Sequence, residues 1–168
     1  MASITQTSAP GLSLSTVLPL LQESLANEGR FLLPLTGDSM VPTLPLSCRV
    51  EIVPLAADGR EIPLGSLIVF AVADVLITHR LVDRRVLGRR IHWIAQGDGR
   101  RAPDAPIRPD QVLGQVVRAV DGAGQTIWTA GEEGRRAWFW IVRYHLLRAV
   151  RPWISPLWRR IRRLRRRF

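Results

Sequence analysis

The sequence predicts a mainly β protein with a short N-terminal helix and a basic, aromatic C-terminal helical segment. From Phe31 to Trp128, short apolar runs alternate with Pro, Gly and Asp, a spacing typical of short strands in a Greek-key or barrel-like domain. Hydrophobic residues make up 46% of the chain, which argues against wholesale disorder. Residues 135–168 carry 12 Arg and no acid, whereas all 14 acidic residues precede them. The chain therefore divides into two regions of different charge.

The N-terminal segment, residues 1–30, is predicted to contain one short amphipathic helix. Ser15 is a suitable N-cap, the pattern continues to about Asn27, and Gly29 is expected to end the helix. The apolar side chains that recur at helical spacing and form its predicted buried face are Val17, Leu18, Leu21 and Leu25.

The central segment, residues 31–130, carries the predicted strands. Ser66–Ala73 is a continuous apolar run, as expected of a strand buried on both faces. The next run places Val75, Ile77, His79 and Leu81 on one face, and a hairpin turning near Leu87-Gly88 pairs His79 with about Gln96. The other predicted strands are Arg49–Val53, Arg90–Gln96 and Gln111–Val120.

The C-terminal segment, residues 131–168, is expected to begin with a hinge at Gly131–Gly134 and to form short helices broken by prolines. It holds four of the six Trp and half of the Arg. Amphipathic aromatic residues prefer the headgroup region of a bilayer, and Arg is attracted to anionic lipid. We therefore predict a helix at about Ala137–Val150 that binds an anionic membrane surface, removable without loss of the domain. The alternatives are a segment packed partly on the domain, or nucleic-acid binding, for which no recognition motif is present.

Two residue types restrict the chemistry of the central segment. All 24 basic residues are Arg and none is Lys, so a mechanism with a neutral amine as base is excluded. Cys48 is the only cysteine and is interpreted as a small buried hydrophobe. A reactive serine then requires a histidine base. His79 and His92 lie on adjacent predicted strands, whereas His145 lies in the basic segment.

Ser39 and Asp98 complete a possible triad with His79. The predicted hairpin places Asp98 about two residues beyond the position that faces His79, where a carboxylate can orient the imidazole. Each residue also has a plain structural reading. Ser39 follows a Gly-Asp pair in a turn, a lone strand His is often a core residue, and Gly-Asp-Gly is a common turn signal. Only their combination indicates an enzyme.

Four stretches in this order resemble the type I signal peptidase family. Ser39–Leu44 is similar to its nucleophile box, and Ile62–Phe70 to the strand that follows. Thr78–Val82 and Gly97–Asp104 resemble the His-Arg and Gly-Asp motifs of the endoplasmic-reticulum and archaeal branch, which uses a Ser–His pair. Gly37 stands where many members carry a serine that assists the oxyanion, so backbone amides are expected to fill that role.

The resemblance implies a serine endopeptidase that cleaves leader or signal peptides without a cofactor or metal. Ser39 is the expected nucleophile, His79 the general base and Asp98 its orienting acid, and Asp104 has a second acidic role. A non-catalytic, membrane-peripheral relative that binds peptides is the alternative. No apolar run before Ser39 is long enough to span a bilayer, so we expect a peripheral protein at the cytoplasmic face.

Overall fold

The computed structural model describes residues 14–55, 62–132 and 137–149. In these ranges the chain forms one antiparallel sheet of seven strands, with a helix before it and a helix after it. The N-terminal helix is α1 (Leu14–Asn27), and the C-terminal helix comprises residues 137–149. The strands are β1 (Phe31–Pro34), β2 (Arg49–Val53), β3 (Leu67–Val72), β4 (Val75–Leu87), β5 (Arg90–Gln96), β6 (Val112–Val120) and β7 (Thr126–Thr129).

Helix α1 ends at Asn27 as predicted, but it begins at Leu14, so Ser15 lies inside the helix rather than at its N-cap. Of the predicted buried face, Leu18 is only half-buried. Leu21 and Leu25 are buried, and Val17 packs against the same core. Gly29, just beyond the helix, has a φ of +69°, a conformation that favours glycine over residues with a Cβ. The helix thus covers one side of the sheet, next to β1.

The strand order is β1-β2-β6-β3-β4-β5, with β7 paired to β6. All five strands predicted from the pattern are present, and β2 and β5 have their predicted bounds. The mainly β class is therefore confirmed. Strands β1 and β7 lie in the predicted β region but have only four residues each, too short for a periodic signal.

Strand β3 is buried on both faces, as its apolar run predicts. Leu67 and Val69 contribute to a core shared with α1, whereas Ile68 and Phe70 contribute to a second core with β4 and β5. Alternate residues of a strand point to opposite faces, so one strand serves both cores. β4, which carries His79, pairs along the whole length of β3, so this doubly buried strand fixes its position.

The C-terminal helix packs against the β domain. Tyr144 is buried and clusters with Val82 and Ile94, and a Cβ added at Gly65 would lie 2.8 Å from Cβ of Ala137. The alternative of a segment packed partly on the domain therefore describes residues 137–149 better than a removable tail. The predicted hinge beyond residue 132 and the residues after 149 lie outside the described ranges. Within those ranges, no helix combines the length and apolarity needed to cross a membrane.

Candidate active site

Ser39 lies in a turn between β1 and β2, and buried neighbours fix this turn. Met40 and Leu44 are 2% and 1% exposed and belong to the core shared with α1. The amide of Leu44 donates to the carbonyl of Met40, and that of Val41 to Asp38. Ser39 itself is half-buried. The Met and the aliphatic residue of the box thus anchor the turn, and the serine stays accessible.

The loop after β5 packs tightly on the serine turn. The amide of Gly99 donates to the carbonyl of Ser39 at 2.8 Å. A Cβ at Gly97 would lie 2.6 Å from the same carbonyl oxygen and 2.9 Å from Nε2 of His79. Both distances are too short for a real Cβ, so only glycine allows this approach at position 97. Residue 39 and Nε2 of His79 therefore flank the same glycine.

His79 is held from the other side of its ring by Asp104. Nδ1 of His79 lies 2.6 Å from Oδ2 of Asp104, and the two side chains are 8% and 25% exposed. Against an ionised carboxylate, Nδ1 carries the proton and Nε2 is left as the acceptor. Nε2, the nitrogen left to accept a proton when Nδ1 donates to Asp104, lies on the side of Gly97 and Ser39.

The structure corrects the role predicted for Asp98. Its carboxylate binds the guanidinium of Arg80, with Nε–Oδ1 at 2.9 Å and Nη2–Oδ2 at 2.7 Å. It also accepts a 2.5 Å hydrogen bond from Oγ1 of Thr43 in the nucleophile box. Asp98 is 4% exposed and Arg80 is completely buried. Asp98 therefore belongs to a buried ion pair, and Asp104 is the carboxylate that contacts His79.

The position of the hairpin turn explains the misassignment. Leu87 pairs with Arg90, so the turn lies at Gly88 and Arg89, one residue later than predicted. After a bulge between Leu81 and Asp83, Arg80 rather than His79 pairs with Gln96. A slip of one residue exchanges the faces of a strand, so Asp98 follows the side chain of Arg80. The chain then folds back along β5, where the amide of Asp104 donates to the carbonyl of Ala95. That reversal delivers the second acid to the His79 face.

Ser39 and Nε2 of His79 thus flank Gly97, and Asp104 contacts Nδ1 of His79, but within the described ranges Ser39 and His79 share no hydrogen bond. Among the described residues, Oγ of Ser39 has no hydrogen-bond partner. Catalytic hydrogen bonds are often long in free enzymes and shorten when substrate binds. The arrangement supplies a hydroxyl, an oriented imidazole and a carboxylate in the order of a triad.

The other candidate side chains lie elsewhere or are unreactive. The ring of His92 contacts the carbonyl of Arg90, and His145 lies on the C-terminal helix against Tyr144. Cys48 is buried in the core, and burial raises the pKa of its thiol, an effect only partly opposed by a backbone hydrogen bond. A protonated, inaccessible thiol is a poor nucleophile. The structural interpretation of Cys48 is therefore supported.

Sequence reasoning gave no role to three residues that shape the site. Arg80 is a charged residue next to the apolar pair Leu81-Val82 of β4, and a charge in a buried part of a strand needs a counter-ion. Thr43 connects the nucleophile box to that ion pair. Arg143 donates from the C-terminal helix to the carbonyl of Asp98 at 3.0 Å. No local pattern reveals the last contact, because 45 residues separate the two partners.

No family model matches the chain, and no curated protein matches its sequence. In the described ranges, no group of three His, Cys, Asp or Glu side chains is placed to hold a metal ion.

Proposed function

We propose that this protein is a serine endopeptidase of signal-peptidase type, with Ser39 as nucleophile, His79 as general base and Asp104 as the orienting acid. The observation that carries the proposal is the 2.6 Å contact between His79 and Asp104 on the ring edge away from Ser39. A histidine that only filled the core would need neither a carboxylate at one ring nitrogen nor a serine turn beside the other.

The reaction is acyl transfer in two steps. Nε2 of His79 takes the proton of Ser39 as Oγ attacks the scissile carbonyl carbon. The tetrahedral intermediate collapses when the imidazolium returns that proton to the leaving amine, which breaks the C–N bond. Water, activated by the same nitrogen, then hydrolyses the acyl-serine. Asp104 stays ionised throughout and stabilises the imidazolium.

The oxyanion requires backbone donors, because Gly37 has no hydroxyl to offer. Among the described residues, the amides of Ser39 and Met40 donate to no protein acceptor. They lie in the turn that carries the nucleophile, where such donors can meet the developing negative charge. We assign the oxyanion site to this turn.

The proposed substrate is an extended leader or signal peptide. Strand β1 lies at the edge of the sheet and runs directly into the serine turn. A peptide that adds to such an edge forms main-chain hydrogen bonds with the strand and presents successive carbonyls along it. Leu32 is 40% exposed on this strand and offers an apolar contact for the leader.

The proposed second partner is an anionic membrane surface. The C-terminal helix packs one side on the domain and exposes Trp138, Phe139 and Leu146, which are 66%, 58% and 61% exposed. Residues 135–168 add 12 positive charges without an acid. Exposed aromatic residues combined with Arg match the lipid interface. We place the protein at the cytoplasmic face, where Arg-rich segments tend to remain.

The proposal is tested by incubating the full chain with a random peptide library and anionic vesicles, and mapping new termini by mass spectrometry. Defined cleavages that disappear in both Ser39→Ala and His79→Ala are expected. The double variant should lose no more than either single one, because the two residues act as a unit. Library peptides that bind but are never cut would instead favour the non-catalytic peptide-binding relative.

A further inference from the structure

Arg143 of the C-terminal helix reaches the loop that carries both acids of the site. Its Nη1 donates to the carbonyl of Asp98 at 3.0 Å, and its Nη2 lies 3.5 Å from the carbonyl of Arg100. The guanidinium also lies over the ring of Trp140, 4.8 Å from the centroid. One side chain thus bridges two carbonyls of the loop and is itself supported by an aromatic face.

The carbonyls that Arg143 binds belong to the turn that sets the position of Asp104. The amide of Arg100 donates to the carbonyl of Gly97, which closes the turn, and Gly99 donates to Ser39. From there the chain returns to Asp104 and His79. A shift of this turn therefore moves the serine contact at one end and the carboxylate at the other.

The packing of the C-terminal helix on the β domain fixes the position of the Arg143 guanidinium. Tyr144, the neighbour of Arg143, is 4% exposed, and its hydroxyl interacts with Asp83 at 3.4 Å. One turn further, Arg148 lies 3.5 Å from the same carboxylate. These contacts attach the helix to β4 at a place separate from the loop. Arg143 is therefore presented from a docked element.

We propose that Arg143 is a positioning residue, which holds the 97–104 loop so that Asp104 stays on His79 and the loop stays on Ser39. This role rests on the proposed peptidase function. It makes the C-terminal helix part of the working site, whereas the sequence suggested a removable membrane anchor. Among the described residues, Arg143 forms no hydrogen bond with His79 or Asp104, so its effect is transmitted through the loop backbone.

The test compares Arg143→Ala, Arg143→Lys and the control Arg148→Ala in the full chain. Two quantities are measured: the rate at which a fluorophosphonate probe labels Ser39, and the low-field NMR signal of the proton on Nδ1 of His79. We expect Arg143→Ala to label about tenfold more slowly, since charged hydrogen bonds to the loop are lost, and to lose or broaden the signal. Arg143→Lys should recover part of both. Arg148→Ala removes a weak, 58% exposed ion pair of the helix and leaves Tyr144 in place, so its labelling rate should stay within about twofold of wild type.

Unchanged labelling and an unchanged signal in Arg143→Ala would overturn the positioning role. Equal losses in Arg143→Ala and Arg148→Ala would also overturn it, because they would indicate helix docking in general. A wild-type protein that the probe fails to label would count against the peptidase function. In that case the Nδ1 signal decides the positioning role by itself, since it reports the His79–Asp104 contact without catalysis.

Discussion

Replacing Asp104 by Asn separates orientation of the base from stability of the fold. The carboxylate contacts an imidazole at 2.6 Å with 25% of its side chain exposed. An ion pair at about 4 Å between charge centres is worth about 4 kcal/mol at an effective dielectric constant of ~20. Partial exposure of Asp104 lowers this to about 3 kcal/mol, and each ~1.4 kcal/mol corresponds to a factor of ten. We therefore expect Asp104→Asn to slow acylation of Ser39 by roughly 100-fold.

Asp98→Asn provides the matched comparison, since it makes the same chemical change in the buried ion pair with Arg80. Arg80 is fully buried and Asp98 almost so. Removing one charge of a buried pair costs about 3–5 kcal/mol of folding free energy. Asp104→Asn keeps an oxygen that can accept from Nδ1 of His79 in the resting protein, so it should cost only about 1 kcal/mol of folding free energy. Asp98→Asn should therefore lower stability far more than Asp104→Asn does.

The assay combines urea unfolding of both variants with stopped-flow labelling by a fluorophosphonate at a temperature where each is folded. The expected pattern is a stable, slow Asp104→Asn and a destabilised Asp98→Asn. If Asp104→Asn is acylated at the wild-type rate while Asp98→Asn is slow and fully stable, the assignment of the two acids is reversed.

Three further outcomes follow from burial and exposure. Burial raises the pKa of Tyr144, the single tyrosine, so absorbance at 295 nm should titrate above its ordinary value of 10.0; helix docking is fully stable below that value and weakens as pH rises through the raised pKa. Gly65→Ala, whose Cβ would meet the helix, should return the titration towards 10.0. Iodoacetamide at neutral pH should modify Cys48 only after unfolding, because its thiol is buried and its pKa is raised; alkylation of the folded protein would contradict this. Wild-type protein should sediment with anionic vesicles, and less of it should do so in high salt. The double change Trp138→Ser and Phe139→Ser should weaken this binding. Binding that neither salt nor the double change affects would exclude the exposed helix face as the membrane-binding surface.

The sequence predicts the strands because apolar periodicity is a local property. Ser66–Ala73 indicates burial on both faces, and β3 contributes to two cores. The four-residue strands β1 and β7 are held mainly by their neighbours β2 and β6, so their own residues carry little pattern. Tertiary pairing, rather than local propensity, defines such short strands.

The partners within the site are less predictable, because they depend on register. From the sequence, Ser39 and His79 are predicted to share one site, but Asp98 is predicted to contact His79, whereas Asp104 does so in the structure. A turn that lies one residue later than predicted, and a bulge between Leu81 and Asp83, cannot be read from alternation, because neighbouring registers satisfy it locally. The buried charge of Arg80 is the available signal, since it requires a carboxylate and competes for Asp98.

The docked position of the C-terminal helix is also a tertiary property. Its composition suits a membrane interface, and the exposed Trp138 and Phe139 remain consistent with that prediction. Composition cannot distinguish the inner face, where Tyr144 and Arg143 contact the domain. Contacts that join residues far apart in sequence leave no periodic signal.

The most direct test of the central claim is the site of covalent modification by a fluorophosphonate. Intact-protein mass spectrometry should find one adduct per chain, and peptide mapping should place it on Ser39, which flanks Gly97 together with Nε2 of His79. Ser39→Ala and His79→Ala should both remain unmodified under the same conditions. An adduct on another residue, or equal modification of His79→Ala, would contradict a Ser39–His79–Asp104 catalytic site.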